Sequence, residues 1–459
     1  MARPQSDIQM IKCLKILNEE FDRFKDPRKG ASQIRLQDFL LTSYAIFSLK
    51  YPSLLSFEID MNKPKQVHNL KKLFDVRDVP SDTHLRDVMD QVDNKFFRKI
   101  FTKLFAHIQR SKYMEAYEFI RVKGRPYYLM ASDGTGYFRS EKVMCDDCMI
   151  IETTKNNEPI TKFGHNMLAA SIVHPGLKEV IPLCPEPIFN RDGTSKNDCE
   201  QNAFKRFIKD FRREHPKLDV VVALDALYAT EPPITLMFEN DLSFIIGVKE
   251  TKGTLYMQVN DGEKDGSTKH YEYDYEIGDK VKKNVNHKYR YIKNVRLGQD
   301  MESPRVNFVE FWEKTTWVNQ KGEDKEQKRH FAYVTDLPVN NETIVTIVKG
   351  GRTRWKIENE TFNTLKNHGY HLEHNYGHGK KNLSVNLIMM MFIAFMIDQI
   401  QQMSCETFKK MMKKLSHRRC DFFRTTISQF ESLFFENWEQ FYGLITGVVI
   451  LEQKFINTS

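Results

Sequence analysis

The chain has 459 residues, 41% hydrophobic and 28% charged, with 69 Lys and Arg against 61 Asp and Glu for a net charge of +8. This length exceeds what one hydrophobic core holds and predicts about two to four structural units of a soluble globular protein. The modest positive charge permits nucleic-acid binding without demanding it. No cationic, apolar leader opens MARPQSDIQMIKCLKIL, and the seven cysteines are odd in number and scattered, so secretion and a disulfide framework are not expected.

Residues 1–120 read as helical. Leu14, Ile16, Leu17, Phe21 and Phe24 recur at helical spacing, as do Phe39, Leu40, Tyr44, Phe47 and Leu49. Pro80-Ser81-Asp82 before Leu85 and Val88 is a helix start capped by Ser81 or Asp82, and Phe97, Ile100, Phe101, Leu104 and Ile108 continue the pattern. From Tyr127 the pattern changes. Tyr127–Ala131, Asn166–Val173, Glu179–Pro182 and Val220–Leu224 are short apolar runs between turn-formers, and Asp198–Arg213 between them is an amphipathic helix with Phe204, Phe207, Ile208 and Phe211 inward. Cys145 and Cys148 form a CxxC, half of a zinc site that Cys184, Cys199 or His165 could complete across the fold.

Residues 246–345 are rich in Thr, Val, Tyr and Gly, with strand-like alternation over Tyr271–Ile277, Tyr289–Val295 and Val306–Trp312. Lys280, Lys282, Lys283, Lys288, Arg290, Lys293 and Arg296 interleave there with His287, Tyr289 and Tyr291, a mixture that suits phosphates and bases together. Further on, His368, His371, His374 and His378 lie in a Gly-rich segment ending at Lys380 and Lys381, read as a loop against a DNA backbone rather than a metal site. Asn382–Ile397 carries no charge but falls short of the ~18 residues of a membrane span, so it is expected to be a helix buried on all sides. Residues 401–459 are helical again, with Lys409, Lys410, Lys413, Lys414, Arg418 and Arg419 on a solvated or DNA-facing surface.

Three carboxylates stand out against this background. Asp133 and Asp225 end apolar runs, and Glu358 opens an amphipathic helical stretch. A carboxylate at a buried strand end needs a partner, and a divalent cation is the usual one. Their flanks resemble those of bacterial insertion-sequence transposases with a DDE core. That family places Tyr-x2-Arg-x3-Glu-x6-Lys on the Glu helix. Arg354 and Glu358 match at the right spacing, Gly351 stands where the family has Tyr, and Lys366 falls one residue late. Asp225-Ala226-Leu227-Tyr228 fits the second Asp motif and Asp133-Gly134 the first, so the resemblance runs from about Tyr127 to Lys381.

The resemblance implies an α/β protein with an RNase H-like catalytic core, residues 121–245 and 346–400, interrupted by a β-rich insertion over 246–345. It implies a helical region 1–120 that grips transposon ends and a helical region 401–459. Asp133, Asp225 and Glu358 would hold two Mg²⁺ ions, replaceable by Mn²⁺, with Asp133 bridging them. Arg354 and Lys366 would hold DNA phosphate, with Lys282, Lys283, Arg290, Trp312 and Trp317 of the insertion as further DNA contacts, a tryptophan stacking a flipped base. At eight residues beyond Glu358, Lys366 would point about 80° away around an ideal helix, against about −20° for seven.

The expected partners are double-stranded DNA, both terminal inverted repeats and target, and a second copy of the chain on paired ends. The expected setting is the bacterial cytoplasm, on the nucleoid, with no membrane. Two other readings use the same residues: a metal-dependent nuclease that cuts without joining, and a DNA-binding protein whose catalytic core is vestigial.

Overall fold

The computed structural model describes residues 8–447 except 31, 156, 194, 251–252, 280 and 416–418. Six helices open the chain: α1 (Gln9–Phe21), α2 (Leu36–Ser48), α3 (Leu54–Met61), α4 (Pro64–Phe74), α5 (Asp82–Met89) and α6 (Phe97–Arg110). Their apolar stripes are buried, as the spacing predicts; α6 buries Phe97, Ile100, Phe101, Leu104 and Ile108. Ser81 caps α5, its side chain accepting from the His84 N–H.

A twelve-stranded mixed sheet follows. β1 (Glu118–Val122), β2 (Arg125–Ser140), β3 (Met149–Lys155), β4 (Glu158–Val173), β5 (Ile181–Pro182) and β6 (Glu186–Ile188) precede α7 (Lys196–Glu214). Then come β7 (Val220–Leu224), α8 (Glu231–Glu239) and β8 (Ser243–Gly247). β2 pairs antiparallel with β4 and parallel with β7, and β7 pairs parallel with β8. All five residues of β7 are buried, which an unbroken Val220–Leu224 run requires of a central parallel strand. β2 is far longer than its apolar run. It continues through Asp133 to Ser140, so Asp133 lies within a strand instead of at its end.

The segment 246–345 holds a helix that the strand-like composition hid, α9 (Gly253–Asp265), followed by β9 (Lys269–Ile277), β10 (Lys283–Arg296), β11 (Arg305–Val318) and β12 (Asp324–Thr335). These four strands form an antiparallel meander. β12 pairs with β8, Tyr333 opposite Gly247, so these four strands continue the same sheet beyond β8.

From β12 the chain enters α10 (Ile344–Thr353), a π-helical stretch Ile357–Phe362 and α11 (Asn363–Asn367). α12 (Leu383–Ser404) is long and apolar enough to cross a membrane, yet it is wholly buried inside the protein. It is packed by α1, α2 and α6 on one side and the sheet on another. α13 (Glu406–Leu415), α14 (Arg419–Ser432) and α15 (Trp438–Thr446) complete the chain, with Lys409, Lys410, Lys413 and Lys414 exposed. Arg418 lies outside the described residues.

The N-terminal helices are therefore not an appended module. Lys50, at the end of α2, and Asp398, inside α12, form a buried ion pair at 2.6 Å. The Tyr370 hydroxyl donates to the same carboxylate at 2.5 Å, and the Lys50 ammonium lies 4.1 Å from the Tyr370 ring centre. The two ends of the chain share one helical core.

Candidate active site

The register between β2 and β7 decides where the first two acids lie. Tyr128 pairs with Val220 and Ala131 with Ala223, a constant offset of 92 residues. Continued by two residues, that offset sets Asp133 level with Asp225, and successive residues on parallel neighbours at one level project to the same face. Beyond β7 the chain turns at once. The Asp225 side chain accepts from the Leu227 N–H at 3.0 Å and caps a short 3₁₀ turn, Ala226–Tyr228. Asp225 thus caps this turn while lying level with Asp133.

Glu358 reaches the same place through Arg354. The Arg354 guanidinium donates to Asp133 Oδ2 at 3.2 Å and to Glu358 Oε1 at 2.5 Å. Burial opposes the guanidinium charge, but the Glu358 hydrogen bond and the charges of Asp133, Glu358 and Asp225 outweigh it and raise its pKa. Asp133 is shifted the other way. Burial pushes its carboxyl above the ordinary range, aided by the charges of Glu358 and Asp225, against the pull of Arg354 and the Gly134 N–H. Three carboxylates and one guanidinium therefore share a single electrostatic environment. Burial lowers the pKa of Lys356, and the charge of the nearby Glu360 raises it against that effect.

Glu358 sits in a π-helical stretch, not the regular helix its sequence suggests. A π turn accommodates about one extra residue, and such turns recur at functional sites. It accounts for the late lysine: one surplus residue between Glu358 and Lys366 returns Lys366 towards the face that a seven-residue spacing would give. Lys366 there pairs with Glu373 at 2.8 Å, not with the three acids. Gly351 also has a local cause. A Cβ at this position would lie 2.6–2.7 Å from Cζ and Cδ1 of Tyr333, so the buried Tyr333 ring of β12 fills the space that a side chain would need.

A fourth acid, Glu200 of α7, was not among the sequence candidates. Its Oε1 accepts from the Tyr228 hydroxyl at 3.0 Å, and its Cδ lies 2.9 Å from where a Gly134 Cβ would be. Burial and then Glu200, Asp225 and Asp133 all push the Tyr228 hydroxyl well above its ordinary pKa. The signal was legible, because Glu200 stands on the inward stripe of Phe204, Phe207 and Phe211, where a charge needs a reason.

Beside the acids runs an open cleft of about 550 Å³, lined by Asp225, Lys249, Tyr333, Arg352, Arg354 and Trp355 among others. Trp355 is 45% exposed in it. Arg352 ties the Glu-bearing segment to β11 through Glu313 at 2.9 Å, and Arg329 holds the same carboxylate at 2.7 Å. The other insertion candidates have partners within the protein. Arg290 lies between Glu310 at 2.5 Å and Glu263 at 3.5 Å. Trp312 stacks on His330 with ring centres 5.2 Å apart, and Lys283 lies 4.8 Å from the Trp317 ring. Lys282 pairs loosely with Glu276 at 3.4 Å on the exposed rim, and Lys280 lies outside the described residues.

Residues 175–397 match the family model of the transposase DDE domain. The match covers just under half of the chain and supports a DDE transposase, a family that implies a DNA substrate and typically uses divalent metals. The matched segment contains Asp225 and Glu358 and begins after Asp133, which the strand register and Arg354 bring to them. No curated protein matches the chain.

Proposed function

We propose that this chain cleaves DNA at the ends of an insertion sequence and joins the freed 3′-hydroxyl to target DNA, with Asp133, Asp225 and Glu358 as its catalytic acids. The observation that carries this reading is that Arg354 pairs with both Asp133 and Glu358 while the charge of Asp225 acts on the same guanidinium. The strand order β3-β4-β2-β7-β8, with β4 antiparallel and β7 and β8 parallel to β2, supports an RNase H-like core beneath the site.

The donor set suits Mg²⁺ or Mn²⁺, because all three side chains offer hard carboxylate oxygens and a single guanidinium leaves their charge in excess. A pair of such ions, when bound, activates the attacking oxygen and stabilises the leaving one. Asp133, Asp225 and Glu358 would together hold these ions through their carboxylate oxygens. Arg354 holds the acids together when their charge is otherwise unmet, and released from them its planar donors suit a phosphate. The cleft admits the strand, and Trp355 and Lys249 face it. Two DNA ends cut together would require a second copy of the chain.

The test is cleavage and strand transfer on labelled DNA bearing the element's terminal repeat, with Mg²⁺ or Mn²⁺, comparing wild type with Asp225→Asn. Cutting and joining by wild type alone is expected. Cutting without joined products would make it a nuclease, and equal cutting by the variant would remove Asp225 from the site.

A further inference from the structure

The CxxC acquires its missing half in three dimensions, and one member is unexpected. Cys145 and Cys148 lie between β2 and β3, His165 is on β4, and His378 arrives from the loop between α11 and α12. One ligand atom from each lies within 4.8 Å of all the others. Cys184 and Cys199 take no part: their thiols lie against the carbonyls of Pro185, and of Asn190 and Gly193.

Five of the six separations are close to a tetrahedron's edges, and the sixth, Cys145 Sγ to His378 Nε2, is within 4.8 Å. Zinc bonds of about 2.3 Å to sulfur and about 2.05 Å to nitrogen give edges of about 3.8 Å for S···S, 3.6 Å for S···N and 3.3 Å for N···N. The two Sγ atoms are 3.8 Å apart. His165 Nε2 lies 3.6 Å from Cys145 Sγ and 3.5 Å from Cys148 Sγ, and His378 Nε2 lies 3.3 Å from Cys148 Sγ. The two Nε2 atoms are 3.1 Å apart. A disulfide would need about 2.05 Å between the sulfurs, so the pair is open, as zinc requires.

The surroundings also fit. The Cys148 N–H donates to the Cys145 carbonyl at 3.1 Å, closing the turn that aims both thiols one way. His378 Nδ1 donates to the Gly379 carbonyl at 2.9 Å, which leaves Nε2 free to ligate, the usual outer support of a metal-bound imidazole. Tyr137 stacks on His165 and Phe138 packs against His378, covering one side of a site whose Cys148 and His165 are buried.

We propose that Cys145, Cys148, His165 and His378 bind one structural zinc ion, which clips the loop following the Glu358 segment to the strands that carry Asp133. Zinc entry displaces the two thiol protons to solvent, and two thiolates with two neutral imidazoles neutralise Zn²⁺ exactly by charge. Phe138 pairs with His165 five residues beyond Asp133 on the same strand, so the clip is close to the acids along the chain. On its far side the same loop is already tied: the Asp90 carboxylate accepts the N–H groups of Lys380, Lys381, Asn382 and Leu383 at the start of α12. With zinc, the passage from Glu358 to α12 is fixed to the sheet on one side and to the helical core on the other.

The test is metal content of the full chain, purified under reducing conditions and dialysed against Mg²⁺ buffer. About one zinc per chain is expected for wild type and for Asp225→Asn, and less than about a tenth for Cys148→Ser and His378→Ala. Wild type reconstituted with Co²⁺ alone is expected to show thiolate-to-cobalt charge transfer in the near ultraviolet and strong tetrahedral bands in the visible. That spectrum decides the matter if the variants do not fold. Wild type that takes up no zinc on reconstitution, a cobalt form without the thiolate band, or soluble variants that keep their zinc would each overturn the proposal.

Discussion

Arg354→Gln isolates the interaction on which the carboxylate cluster depends. The guanidinium meets Asp133 at 3.2 Å and Glu358 at 2.5 Å, with side-chain exposures of 23% for Arg354, 25% for Asp133 and 49% for Glu358. The Glu358 pair is half in water and is worth about 0.2–1 kcal/mol. The Asp133 pair is less exposed and falls below the ~3–5 kcal/mol cost of breaking a fully buried pair. Together, loss of the charge should cost about 1–3 kcal/mol without divalent metal. At no more than about 2–4 °C per kcal/mol, the fall in melting temperature is a few degrees.

Divalent metal should then reverse the order of effects. Three acids without their guanidinium attract a cation more strongly, and each tenfold gain in affinity is about 1.4 kcal/mol. Melting curves with and without Mg²⁺, at low ionic strength, should show a larger Mg²⁺-induced rise for Arg354→Gln than for wild type, with a lower half-saturating concentration. DNA cleavage should nevertheless fall, because the variant cannot hold a phosphate. Identical stability in metal-free buffer and an identical Mg²⁺ response would refute the idea that Arg354 holds the site together.

The remaining predictions concern neighbouring groups. Because burial raises the Asp133 carboxyl above its ordinary 3.8, the folded state binds its proton more tightly, so its contribution to stability is lost as pH rises from about there through the raised value. Asp133→Asn should therefore gain stability relative to wild type across that window in urea titrations without metal, while losing cleavage; a difference that does not change with pH would count against the burial argument. Gly351→Ala should cost about 1–3 kcal/mol through overpacking against Tyr333. Adding Tyr333→Ala should make the Gly351 substitution nearly neutral in a double-mutant cycle, and simple additivity of the two would show that the ring is not the obstacle.

Much of the machinery was local and so readable along the chain. Val220–Leu224 became a buried strand ending at Asp225, because five apolar residues in a row suit only a strand covered on both faces. The apolar Asn382–Ile397 stretch became part of a fully buried helix for the same reason. Arg354 and Glu358, four residues apart, were expected on one face, and local helical geometry sufficed for their pairing.

What remained hidden depended on contacts between distant segments. Asp133 lies inside β2 because β4 pairs with that strand well beyond its apolar run, and no local pattern reports a partner strand. The Tyr333 ring beside Gly351 and the pairing of β12 with β8 each depend on packing between segments remote in sequence. His378 shows the limit most clearly, because spacing alone separates it from Cys148 by 230 residues, while the fold brings Nε2 to 3.3 Å from the sulfur. Side-chain type and short-range periodicity are local properties, so the residues able to do chemistry could be read along the chain. Which of them meet was set by strand register and loop return, because both follow from the burial of the whole core.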